Sequence, residues 1–75
     1  KDYAIVNVED LNCFEANTEV TIEKLQEKGL VKKTYDGLKI LGNGKLTVAL
    51  TVKANKFSNQ ALQVISDAGG KAEVI

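Results

Sequence analysis

The sequence predicts a small layered α/β domain, ordered strand, short helix, strand, strand, helix, strand, on an irregular sheet that is mixed or mostly parallel. Three observations carry that expectation. Short apolar, β-branched runs recur at Tyr3–Val8, Leu38–Leu41 and Leu50–Ala54. Helix-cap residues Thr21 and Ser58 each open a segment that closes on glycine. No proline-rich linker, internal repeat or low-complexity stretch divides the 75 residues, so one domain over residues 1–75, a single layer of strands plus helices, is the economical arrangement.

Each element follows from its residues. Tyr3-Ala4-Ile5-Val6-Asn7-Val8 is the first strand, ended by Glu9-Asp10, and Asp10 is placed to cap a helical turn through Leu11, Cys13 and Phe14. Ala16–Glu19 is a polar connection. Thr21 caps a helix from Ile22 to Lys28, with Val20 and Leu25 spaced as a hydrophobic staple. Gly29 suits the left-handed position past its end, with Leu30 as apolar partner. So short a helix holds only if Ile22 and Leu25 pack. Lys32–Gly37 is a loop with a turn at Asp36-Gly37.

Leu38–Leu41 forms the next strand, and Gly42-Asn43-Gly44 tolerates positive φ. The Asn-Gly pair allows a tight hairpin. The next clear strand begins only at Leu50, so the hairpin is one option, with Leu46 and Val48 extending that strand back toward the turn. Ser58 caps the second helix, with Phe57 and Leu62 as a second staple. Ala61, Leu62, Ile65 and Ala68 are expected on one buried face, with Val64 at its edge. Gly69-Gly70 stops this helix and Lys71–Ile75 is the last strand. The final strand, helix and strand read as a β-α-β unit.

Composition narrows the functional classes. A chain this short buries only about 60% of its unfolded surface. Its 44% hydrophobic and 27% charged residues are ordinary for a globular domain. No apolar run approaches the roughly 20 residues of a membrane span, and there is no basic-then-apolar leader. The chain starts at Lys1 and enters a strand directly. A piece of a longer protein in a cytosolic setting is therefore expected. The single cysteine, Cys13, has no histidine to activate it, and is expected to be a half-buried, inert thiol.

Net charge is zero, but the charges are unevenly spread. Residues 1–27 carry Lys1 and Lys24 against seven carboxylates, a net of −5. Residues 28–75 carry eight lysines against Asp36, Asp67 and Glu73, a net of +5. Such a split can give one face a positive field. Without arginine there are no forks to read bases; any nucleic-acid contact is lysine to phosphate, which positions but does not specify.

Candidate chemistry is sparse. Gly42-Asn43-Gly44 lacks the third glycine and the immediate helix of a dinucleotide loop, so it reads as a turn. Glu19, Glu23 and Glu27 recur at i,i+4 spacing and read as a solvated face, not an acid–base pair. Phe14 and Phe57 are assigned to the core, and Tyr35, beside Lys32 and Lys33, is kept as a contact residue. Lys53 and Lys56 flank the bend into the helix that Ser58 caps, where free N–H groups and a positive dipole end suit a phosphate. Ordinary solvated lysines are the bland alternative.

The run Lys39-Ile40-Leu41-Gly42-x-Gly44, followed by Leu46, Leu50, Val52, the pair Phe57-Ser58, then Ala61, Ile65 and Gly69, resembles the carboxyl-terminal domain of the large-subunit ribosomal protein fifteen family, bacterial or organellar type. Asn7–Asn12 and Val20–Leu30 fit the same family, so the resemblance covers essentially the whole chain. It implies a non-catalytic structural constituent of the large ribosomal subunit, without cofactors or membrane contact, in the cytoplasmic ribosome of a bacterium or in an organellar one. The implied partners are large-subunit ribosomal RNA and neighbouring ribosomal proteins. Lys39, Lys45, Lys53 and Lys56, backed by the helix end at Ser58, are the expected RNA contacts. The family's glycine- and arginine-rich basic extension is expected to be missing from this piece, in keeping with its zero net charge. The alternative is a protein–protein interaction module using a sheet edge or the acidic half.

Overall fold

The computed structural model describes residues 2–33 and 36–75. Along the chain run β1 (Ala4–Asn7), a 3-10 helix (Val8–Cys13), β2 (Glu19–Val20), α1 (Ile22–Glu27) and β3 (Leu38–Leu41). Then follow β4 (Thr51–Ala54), β5 (Lys56–Phe57), α2 (Asn59–Asp67) and β6 (Lys71–Val74). The α/β class and the parallel sense of the expected sheet hold. The strands form two three-stranded sheets, β1-β3-β5 and β2-β4-β6, parallel throughout. Odd strands fill one sheet and even strands the other, so the chain alternates between them.

The two additional strands, β2 and β5, are two residues each. They are too short to show a period of two in sequence, and only their partners define them. No hairpin forms at Asn43-Gly44. The chain instead runs from Gly42, against Gln60 and Ala61, to Ala49 and Leu50, against Gly69 and Gly70. This segment lies along α2 in the helix's own direction and buries Leu46 and Leu50. The β4-α2-β6 unit is present, with β4 and β6 paired over four residues.

Both helices are capped as their residues dictate. Thr21 and Ser58 accept from the backbone N–H groups of Lys24 and Ala61 at 3.3 and 3.0 Å. Both end in Schellman geometry: Leu30 N–H reaches Leu25 O at 3.0 Å, and Gly70 N–H reaches Ile65 O at 2.9 Å. Gly29 and Gly69 supply the positive φ, 75° and 85°. Asp10 plays another part than the expected cap. Asn7 is the N-cap of the 3-10 helix, and the Asp10 carboxylate inside that helix accepts the Asn7 N–H at 3.3 Å.

The core is one cluster, with Val6, Val8, Leu11, Val20, Leu25, Leu38, Ile40, Leu50, Val52 and Ile65 almost fully enclosed. Phe14 is buried and Phe57 partly so. Two expectations need correction. Cys13 is exposed, on the solvent side of the 3-10 helix. Leu62 is 42% exposed while Ala61 and Ile65 are fully buried. At about 100° per residue, the packed stripe through Ala61, Val64, Ile65 and Ala68 leaves Leu62 off its flank. Ile65→Ala is therefore expected to cost about 2–5 kcal/mol, and Leu62→Ala less than about 1 kcal/mol. Urea denaturation of the two variants checks this, and equal losses would place the stripe wrongly.

Candidate nucleic-acid interface

Parallel register fixes which side chains share the outer face of the first sheet. Ile5 pairs with Lys39, and Lys39 pairs with Lys56. The flanking residues Ala4, Val6, Leu38 and Ile40 are buried, so the row Ile5–Lys39–Lys56 points the other way. Strands lie about 4.8 Å apart, which brings two lysines directly opposite one another. Like charges in that position repel. Lys56 also sits over the Tyr3 ring, 5.7 Å from its centroid, a cation–π distance. The outward strand positions of this sheet (Ile5, Asn7, Lys39, Leu41 and Lys56) include no carboxylate.

The second sheet presents a different surface. Its outward row runs Glu19–Thr51–Lys71, with Lys53 opposite Glu73. Lys53 Nζ lies 3.3 Å from Glu19 Oε1. Among the described residues this is the one ion pair formed, and Lys39, Lys45 and Lys56 have none. Thus Lys53 and Lys56, close in sequence, go to different sheets, and Lys53 meets acid on two sides.

Ser58 lies two residues beyond Lys56, and its own N–H donates to Ile40 O at 3.0 Å. This ties the amino end of α2 to the end of the sheet that carries the lysine pair. Gly42 makes the close approach possible, since a Cβ there would stand 2.7 Å from Ala61 N and Gln60 C. Lys45 is elsewhere. It lines a shallow depression of about 240 Å³ with Leu46, Thr47, Val64 and Asp67, roughly 13 Å further along the helix axis. Of the five expected contacts, the structure brings together Lys39, Lys56 and Ser58. Lys53 and Lys45 stand apart.

Sequence reasoning missed Tyr3 and Ile5 as members of this face. Tyr3 is far from Lys56 in sequence, and only the β1-β3-β5 pairing sets the two side by side. Tyr35 lies outside the described residues. No helix is long and apolar enough to cross a membrane, and no cluster of three metal-ligating side chains occurs, among the described residues.

Substitution at the hinge between sheet and helix tests this geometry. Gly42→Ala is expected to destabilise the fold by about 1–3 kcal/mol through overpacking against the α2 backbone. A neutral result in chemical denaturation would mean that β3 and α2 do not approach so closely.

Comparison with known proteins completes the picture. Residues 5–73 match the model of a family described as the ribosomal proteins 50S-L15 and 50S-L18e together with their 60S counterpart. The chain is 57% identical over 75 residues to large ribosomal subunit protein uL15 of Lactobacillus helveticus, and equally to that of Lactobacillus acidophilus. The match takes in 100% of this chain and 51% of each of those proteins. The chain thus spans about half the length of these curated relatives.

Proposed function

The chain belongs to the family of ribosomal proteins 50S-L15 and 50S-L18e and their 60S counterpart, and from that premise we propose that it is a non-catalytic structural part of the large ribosomal subunit, the carboxyl-terminal domain of a longer protein. It contacts ribosomal RNA through lysine–phosphate pairs and packs against neighbouring ribosomal proteins. Its setting is the cytoplasmic ribosome of a bacterium.

One observation supports the contact surface above all. Lys39 and Lys56 stand in register on a strand face free of carboxylates. Their mutual repulsion is relieved when a phosphate comes between them. The amino end of α2 behind Ser58 adds a favourable dipole end at the same edge. Lys45, on the loop beside the far part of α2, stands apart from this pair and takes no part in that contact. Lys53 contributes least, because it must leave Glu19 before it can meet a phosphate.

Two lysine–phosphate contacts should give a slope of log K against log salt of roughly −1.4 to −1.8, with little dependence on RNA sequence. The double variant Lys39→Glu with Lys56→Glu should lose that slope and bind a large-subunit ribosomal RNA fragment more weakly, with unchanged circular dichroism. Lys53→Gln should stay near the parent in both respects. A double variant that bound as tightly as the parent at the same slope would remove this face from the reading. Packing against proteins would then be the main role.

A further inference from the structure

We infer that Asn43 is a site of spontaneous covalent modification, converted through a cyclic imide to aspartate and isoaspartate. This inference is independent of the proposed RNA contact. The Asn43-Gly44 pair is solvent-exposed on both residues, and it does not serve as a hairpin turn. Among the described residues, neither the Gly44 N–H nor the Asn43 Oδ1 has a hydrogen-bond partner. The nucleophile and the carbonyl it attacks are therefore both unengaged. Glycine puts no Cβ of its own beside the attacking nitrogen, and the Glu9 side chain takes the space such an atom would fill. The other asparagines, Asn7, Asn12, Asn17, Asn55 and Asn59, precede Val8, Cys13, Thr18, Lys56 and Gln60, whose side chains crowd the same nitrogen.

The steps balance without any oxidant or reductant. The Gly44 nitrogen bonds to Asn43 Cγ, the Cγ–Nδ2 bond breaks, and ammonia leaves with the amide proton. Water then opens the ring at one of its two carbonyl carbons. Attack at Cγ restores the normal backbone with aspartate; attack at the backbone carbonyl carbon routes the chain through the side chain.

The surroundings give the change a consequence. Asn43 Nδ2 donates to Asn7 Oδ1 at 2.9 Å, and Asn43 O accepts from Glu9 N–H at 3.4 Å. These contacts join the loop to the 3-10 helix. A carboxylate at this position has no N–H to give Asn7. It also adds negative charge where the Glu9 side chain already fills the space that a Cβ on Gly44 would need. Like charges there push the loop from the helix.

The test is to age the native chain in warm, mildly alkaline buffer and to map it by peptide mass spectrometry, with isoaspartyl methyltransferase labelling. The expected result is a growing acidic species on anion exchange whose lost amide, with the label, maps to the peptide holding Asn43; any label at Asp36-Gly37 would come without a change of charge. Asn43→Gln should form no such acidic species. If that variant fails to fold, localisation in the parent still decides the matter. Label at Asn43 only in urea-unfolded chain would overturn the inference, since the Asn7 contact would then protect the site. So would faster labelling at any other asparagine.

Discussion

Asn55 is the joint on which this architecture turns. It is the single residue between β4, in one sheet, and β5, in the other. Its backbone N–H donates to Leu38 O at 3.0 Å, and its side-chain Oδ1 accepts the Leu38 N–H at 2.8 Å. One residue thus satisfies both polar groups of a core strand position while the chain changes sheets. Both would otherwise be left unpaired beside a fully buried side chain, at a cost of about 1–3 kcal/mol each. Gly37 completes the joint, since a Cβ there would stand 2.5 Å from Asn55 Oδ1.

The remaining topology depends on this transfer. Strands of two to four residues are too short for either sheet to stand alone. Interleaving lets both sheets share one core, with α2 laid across it and the loop 42–50 running beside the helix. Asn12 does for that loop what Asn55 does for the strands. Its amide donates to Glu9 O and Lys45 O, and its Oδ1 accepts from Thr47 N–H and Oγ1. No buried side-chain polar atom lacks a partner among the described residues.

Much of this was legible in the chain. Thr21 and Ser58 marked the helix starts, and Gly29 and Gly69 their ends, because capping chemistry is local and needs few neighbours. Leu38–Leu41 and the β4-α2-β6 unit were legible for the same reason. The two-sheet division was not. It depends on β2 and β5, whose residues Glu19, Val20, Lys56 and Phe57 carry no period of their own, and on Asn55, which looks like any loop asparagine. The same blindness affected the candidate site. Lys53 and Lys56 look equivalent in sequence, and only the change of sheet between them sends one to Glu19 and the other to Lys39. Leu62 was misplaced for a narrower reason: several apolar residues compete for one helical stripe, and the loop beside α2 decides which of them it covers.

That change of sheet also reconciles a neutral chain with a proposed anion-binding face. Parallel sheets are normally covered on both sides. Here the outer side of β1-β3-β5 shows Ile5, 49% exposed, beside two lysines without ion-pair partners among the described residues. A surface combining apolar area with unbalanced charge suits an assembly partner better than bulk water. Of the compensating carboxylates, Glu19 and Glu73 belong to the other sheet of a domain measuring 29 × 25 × 20 Å, while Asp2 and Asp36 sit together ahead of β1 and β3. At physiological ionic strength the field of an exposed charge fades over about 8 Å. A phosphate approaching Lys39 and Lys56 along the strand face would therefore meet those two lysines, the Tyr3 edge and the amino end of α2 before any carboxylate of the second sheet. Local register, set by which sheet each lysine enters, matters more to such a contact than the sum of charges over the chain.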